Sequence, residues 1–474
     1  MSDFTGNYEK DKALLDRTLR VSESFDLQQH EFILGKKRSC LYCIDGMSKD
    51  DILQKLLQYF IGLKPEKVPN NADELTEQIL PYAQNELLTE LERVVKNVLT
   101  GIPCLLVEGF AEVVSIDARS YPARSVEEPE KDKVMRGSRD GFVETLNFNT
   151  ALIRRRIRDP RLTLHYCNAG SVSRTDIVLC YMDGRVDREF LAELKRRINK
   201  ISVESLTMNQ QSLAECLYHG KWYNPFPKFK FSERPDTAAA AILEGDIVIL
   251  VDNSPAAMIL PTTIFDIIEE ADDYYFPPVT GTYLRFTRFV TNFLALFLTP
   301  FFLLLMQNQH WLGETWQFVA VKETMNIPLI WQFLILEFAL DGLRLASLNT
   351  PSMLSLPLSV IAGVIIGDFT VQSGWFNSEA MLYMAFVAIA NYTQVSLELG
   401  YALKFMRLIL LLLTEWFGLW GFIVGTVLDV VAICRNKTIG GRSYLYPLIP
   451  LKPRQLLQRV FRIPLPRSEH QQGK

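Results

Sequence analysis

From Phe289 to Met306 the chain reads FVTNFLALFLTPFFLLLM without one charge, and further apolar stretches continue to about residue 434. A helix rises about 1.5 Å per residue, so roughly 20 such residues cross the hydrocarbon of a bilayer. Upstream of residue 285 the chain is ordinary and polar. Charged residues make up about 28% of positions 1–284 and about 10% of positions 285–434, the contrast expected when the solvent changes from water to lipid. The pattern predicts an α/β cytosolic domain followed by an all-α, multi-pass transmembrane domain over 285–434.

Charge places the ends. The last forty residues, 435–474, hold nine Lys/Arg against one acid, Glu469, so this basic tail belongs on the cytoplasmic side, where anionic headgroups could hold it. The first residues, MSDFTGNYEKDK, carry no apolar core after their charges and do not read as a secretory signal. Residues 1–24 are read as an N-terminal tail. The seven cysteines (40, 43, 104, 167, 180, 216, 434) look like scattered small hydrophobes. Cys40 and Cys43 form a CxxC in a strand-like run with no second pair and no nearby His, so buried free thiols are expected and zinc is not.

The polar region repeats itself. Cys40-Leu41-Tyr42-Cys43-Ile44-Asp45-Gly46 precedes a helical pattern through Ile52, Leu53, Leu56, Leu57 and Phe60. Ile177-Val178-Leu179-Cys180-Tyr181-Met182-Asp183-Gly184 precedes Phe190, Leu191, Leu194 and Ile198. Each is a buried-strand run, an Asp-Gly turn and an amphipathic helix. A second pair follows at a similar offset: 101–109 leading into 113–116, and 245–252 leading into 258–260, both hairpin-like. Two similar α/β subdomains are therefore predicted, 25–155 and 160–275, joined at Arg158-Asp159-Pro160-Arg161.

An Asp-Gly after a strand can be a catalytic carboxylate, or a turn in which Gly supplies positive φ; with no second carboxylate or His at workable spacing the turn is favoured. GxGxxG, Walker A, GxSxG and HExxH motifs are absent and the five histidines are scattered, so no enzyme, cofactor or metal is predicted. Arg154, Arg155, Arg156 and Arg158 could form a solvated helix face over Leu152, Ile153 and Ile157, or a contact with another subunit or the membrane surface. No aromatic residues interleave them, which argues against nucleic acid as a partner.

Candidate crossings are 286–306, 327–345, 356–373, 380–397 and 403–434. The last is either one long broken helix or a tight pair hinged around Gly418 and Gly421. With Arg285 and Arg288 before the first crossing and Arg435 and Lys437 after the last, both ends face the cytoplasm and the number of crossings is even, four or six. In the second segment Glu337, Asp341 and Arg344 share a helical face. They mark an ion path at bilayer depth, or the outward face of a helix lying in the interface. Ser359, Gly363 and Gly367, and again Gly421 and Gly425, are small-xxx-small steps that let helices approach closely. Asp368 and Asn391 are read as pore-lining groups, or as a helix cap and an interhelical hydrogen bond.

Three stretches carry a family resemblance. IDARSYPARSVEEPEKDKVMRGSRDGFVETLNFNTALIRRRIRDPRL (116–162), NPFPKFKFSERPDTAAAAILEGDIVILVDNSPAAMILPTTIFDIIEEADDYY (224–275) and the GYALKFMRLILLLL from Gly400 resemble the GerA family of spore germination membrane proteins. The similarity runs from about residue 25 to 450. The family includes A subunits of nutrient germinant receptors and a stage V sporulation AF branch. KFKFSERPDTAAAA, FPPVTGTYLRFTRF and RSYLYPLIPL look most like the latter, as does DGLRLASLNTPSMLSLPLSVIAGVIIGDFTVQSGWFNSE, whose Gly367-Asp368 and Asn349-Thr350-Pro351-Ser352 depart from the receptor pattern. The resemblance implies a spore inner-membrane protein with a two-part cytosolic domain. It implies assembly into a ring whose helices pass monovalent cations, with other germination membrane proteins as partners. A non-conducting membrane scaffold and an A-type receptor subunit are the alternatives. On this reading Glu337, Asp341, Asp368 and Asn391 are the candidate ion pathway.

Overall fold

A computed structural model of the protein describes residues 3–80, 84–120, 132–218, 223–322, 325–349 and 370–464. It divides into two compact units, 1–219 with 229–261, and 220–228 with 262–474.

The first unit holds two five-stranded antiparallel sheets. Strands β1 (Leu27–Leu34), β2 (Lys37–Ile44), β3 (Asn85–Leu88), β4 (Cys104–Val107) and β5 (Val113–Ile116) lie in the order β1-β2-β4-β5-β3. Strands β6 (Leu162–Ala169), β7 (Thr175–Met182), β8 (Lys230–Ser232), β9 (Ile247–Val251) and β10 (Ala257–Leu260) lie in the order β6-β7-β9-β10-β8. The two orders correspond strand by strand, so the repeat read from the sequence is a repeat of topology. Register agrees: Leu27 pairs with Ile44 in one sheet and Leu162 with Met182 in the other.

Alternation along β2 explains its unbroken apolar run. Cys40, Tyr42 and Ile44 face a core shared with helices α1 (Tyr8–Leu19) and α4 (Leu91–Leu99), while Leu41 faces Phe60 of α2 (Asp50–Gly62) and Leu75 of α3 (Ala72–Gln78). Both sheet faces are covered, so both sets must be apolar. The stretch expected to be a tail contains α1, whose Leu15 and Leu19 are fully buried in this core. The second sheet is covered by α5 (Leu146–Arg156) and α8 (Pro235–Glu244), which bury Ile153 and Ile242 against Val178, Cys180 and Met182. Helices α6 (Arg188–Asn199) and α7 (Asn209–Leu217) complete the unit.

Both Asp-Gly pairs are turns in which glycine supplies positive φ: Gly46 and Gly184 have φ of 73° and 86°, a region open to glycine. All seven cysteines are free. Cys40 and Cys43, an odd number of residues apart on a strand, point to opposite faces and cannot share a ligand. Burial pushes both thiols up to about 12.

The arginine-rich end of α5 also differs from expectation. Arg154 is not on a solvated or partner-facing surface; it is fully buried, and it ties the two sheets together. Its Nε donates to Asp26 Oδ2 at 2.8 Å and its Nη2 to Asp26 Oδ1, Ser24 Oγ and the Leu162 carbonyl, each at 3.1 Å. Its Nη1 reaches the Asp159 carbonyl at 3.3 Å. Arg155 and Arg158 are exposed, with Leu152, Ile153 and Ile157 buried beneath.

The second unit is helical. After the short helices α9 (Ile264–Ile268) and α10 (Asp272–Tyr275) come α11 (Pro278–Gln307), α12 (Leu329–Asn349), α13 (Ser378–Tyr392), α14 (Leu397–Cys434) and α15 (Pro453–Val460). Residues 262–275, read as the end of the second α/β subdomain, group here because Ile267 and Ile268 bury against Leu399, Leu403 and Met406. Helices α11 and α14 are each long and apolar enough to cross a membrane, with mean hydropathy 2.1. The expected crossing 380–397 differs: α13 ends at Tyr392, and Ser396 caps α14 through the Leu399 amide at 3.3 Å.

Helix α14 is broken at Gly418, whose φ of 53° and ψ of −132° are not helical. A Cβ at Gly421 would lie 1.8 Å from the Leu413 carbonyl oxygen, and one at Gly425 2.5 Å from the Leu410 side chain. Positions 413 and 410 thus meet 421 and 425 in reversed order, so the two arms run antiparallel. The long segment is a hairpin, and at Gly421 no side chain larger than hydrogen fits where its arms meet. Ser359, Gly363, Gly367 and Asp368 lie outside the described residues.

Candidate functional site

Helix α12 carries Glu337, Asp341 and Arg344 at spacings of four and three, one face of a helix. Facing it, the first arm of α14 carries Lys404 and Arg407. Arg407 donates through Nε to Glu337 Oε1 at 2.7 Å, with Nη2 2.5 Å from the same oxygen but unaligned for a hydrogen bond. Its Nη1 donates to the Ala295 carbonyl of α11. Lys404 Nζ lies 3.4 Å from Glu337 Oε2 and 3.2 Å from the Glu337 carbonyl oxygen, and pairs with Asp341. Two acids thus meet two bases. Glu337, Lys404 and Arg407 are buried, whereas the Asp341 side chain is 33% exposed. Burying ionisable groups among apolar helices is costly, and pairing of this kind offsets the cost.

Beside the network is a small cavity of about 20 Å³, room for about one water molecule. Asp341, Arg344, Asn391, Tyr401 and Lys404 line it. Asn391 Oδ1 is buried there with no hydrogen-bond partner among the described residues. Arg344 is 5.3 Å from the Tyr392 ring centre and 5.4 Å from that of Tyr401, so aromatic faces hold its charge. The structure therefore brings together Glu337, Asp341 and Asn391. The two carboxylates are engaged by an ammonium and a guanidinium rather than offered as a metal-ligand set.

Sequence reasoning missed Lys404 and Arg407. The signal was present: two acids one turn apart on an apolar helix call for bases, and two bases three residues apart stand in the last apolar run, 403–434. Asp429, in the second arm of α14, was missed as well. It is 5% exposed, and its Oδ2 has no partner among the described residues.

A second charged cluster sits at the start of α11. Buried Asp273 accepts from Arg285 Nε at 3.1 Å and Arg288 Nη1 at 2.6 Å. Glu269 pairs with Arg285 and Arg459, and Glu270 with Arg288. Burial raises the Glu270 carboxyl above its ordinary range even with Arg288 beside it. Gly281 permits this packing, since a Cβ there would come within 2.3 Å of the Asp273 carbonyl oxygen.

The family model described as Bacillus/Clostridium GerA spore germination protein matches residues 15–473. Stage V sporulation protein AF of Bacillus subtilis (strain 168) is 33% identical over 461 residues, 97% of this chain and 93% of that protein. Spore germination protein KA of the same organism is 25% identical over 460 residues, 96% and 84% of the two chains. The crystal structure of the N-terminal domain of the A subunit of the Bacillus megaterium spore germinant receptor GerK3 aligns with a TM-score of 0.43 and 22% identity, covering 55% of this chain and 96% of that one. With a family match over nearly its whole length, the chain belongs to the GerA family of spore germination proteins.

Proposed function

We propose that this protein is an oligomeric, multi-pass protein of the spore inner membrane that forms or gates a cation pathway promoting ion release in germination. One observation carries the reading: a paired acid–base network, with a small polar cavity beside it, set among apolar helices. Burying such charges is expensive, so their presence calls for a use. Lys404 Nζ stands between Glu337 and Asp341, the position a monovalent cation would take if the ammonium withdrew. The unpartnered Asn391 Oδ1 offers a further acceptor.

In this arrangement the crossings are six, an even number, with α11, α12, α13 and the two arms of α14 among them and both chain ends on the cytoplasmic side. Arg285 and Arg288 before the first crossing and Arg435 and Lys437 after the last support that orientation. Copies of the chain, other germination membrane proteins and the bilayer itself are the partners.

A second reading, a non-conducting scaffold, draws on the same network. Each carboxylate already has a base, which would serve equally to fix helix packing. Purified protein in potassium-loaded liposomes separates the two. A conducting protein makes the vesicles leaky, and Glu337→Gln with Asp341→Asn changes the leak. Tight vesicles, or a leak indifferent to both substitutions, would reject the pathway and leave the scaffold.

A further inference from the structure

A helix on the surface of a water-soluble body docks by its apolar side and shows its polar side outward. Helix α15 departs from this. The groups that hold it are polar: Arg285 Nη1 donates to the carbonyls of Gln458 and Arg459 at 3.1 and 3.2 Å, and Arg459 pairs with Asp266 and Glu269. Arg462 reaches the Tyr274 carbonyl at 2.7 Å. Large apolar groups stand among its outward positions. Leu457 and Phe461, one turn apart, are 53% and 50% exposed, and Leu451 just before the helix is 64% exposed. Between them stand exposed Lys452 and Arg454.

The side of α11 facing away from α15 is apolar as well. On α11, Val279, Tyr283, Phe286, Val290 and Phe293 are exposed at spacings of four, three, four and three, one unbroken stripe. Arg285 and Gly281 lie on its other side, packed against Asp273. Arg285, which holds α15, precedes by four residues the uncharged run beginning at Phe289. This fixes α15 at the level where the polypeptide passes from charged to apolar surroundings.

Apolar residues interleaved with cations, and no exposed acid among them, fit an anionic headgroup layer. We propose that residues 448–461 form an interfacial anchor that seats Leu451, Leu457 and Phe461 in the cytoplasmic leaflet, with Lys452 and Arg454 on anionic lipid phosphates. The anchor is clamped to the base of α11 by the Asp266–Glu269–Arg285–Arg459 cluster. It rests on the membrane reading above but not on ion conduction.

The test uses the full chain in vesicles of phosphatidylglycerol and phosphatidylcholine. A nitroxide is placed at Leu457→Cys, with Cys167, Cys216 and Cys434, the cysteines that are not buried, changed to Ser. Power saturation then compares collisions with oxygen, which concentrates in lipid, and with a water-soluble nickel chelate. Oxygen is expected to dominate, and Lys452→Glu with Arg454→Glu is expected to move the label toward the nickel reagent. Nickel dominance in the parent protein would overturn the anchor. So would protection from both reagents, which means that protein covers this face. A label at Phe293→Cys separates the two levels: if it too meets nickel, the membrane reading itself falls.

Discussion

Two buried arginines, one in each unit, show what a buried charge does in each setting. Arg154 is saturated: its three nitrogens reach Asp26, Ser24 and two carbonyls, and Ser24 is itself bonded to Asp26 and to the Leu164 amide. Arg407 is not. It shares Glu337 with Lys404, its Nη2 lacks an aligned acceptor, and an open cavity adjoins the network. A fully bonded charge has one arrangement and fixes a joint. A charge whose partner is shared has alternatives. The first network suits a structural pin, the second a site that can change hands.

That contrast predicts its largest effect in the α/β unit. Arg154→Ala strands Asp26 in the interior, and breaking such a buried pair costs about 3–5 kcal/mol. Thermal or urea unfolding of the full protein should show the α/β unit melting first and early. The double change Asp26→Leu with Arg154→Met should recover much of the loss, because apolar replacement of both partners removes the stranded charge. A double variant as unstable as the single one would mean that the pin is not the source.

Glu337→Gln comes next. Arg407 loses its carboxylate, but Lys404 retains Asp341, so the loss falls near the lower end of that range, about 3 kcal/mol. It should also change cation flux, which Arg154→Ala at equal folded fraction should not. Asp341→Asn is smaller: with a third of its side chain exposed, its ion pair is worth under about 1 kcal/mol. A flux change without a stability change there would favour the pathway over the scaffold.

Much of this was legible in the sequence because it is local. The strand repeat shows in apolar runs ended by Asp-Gly, since a strand covered on both faces needs no polar alternation. The acidic face of α12 shows in spacing alone. The hinge of α14 shows in a run too long for one crossing with Gly418 at its middle. What stayed hidden is long-range or averaged away. Asp26 and Arg154 are 128 residues apart, and an arginine-rich helix end reads as solvated until its partner is known. Lys404 and Arg407 vanish inside a window dominated by leucine and isoleucine. The direction of α15 was equally hidden, because PRQLLQRV does not say which side docks.

Asp429 supplies the smallest effect and the sharpest limit on the comparison. It is as buried as Glu337 and sits in the same unit, yet no hydrogen bond or ion pair holds it among the described residues. A loss of stability follows from partners lost, not from charge removed. Asp429→Asn keeps the shape of the side chain, deletes no contact within the chain and removes an unpaired buried charge, so unfolding should show no loss of stability. Measured in the same detergent, only Glu337→Gln should lose stability, although both changes neutralise one buried acid. Equal losses would mean that Asp429 has a partner supplied by a neighbouring copy. In that case protein held as monomers should tolerate the change and assembled protein should not.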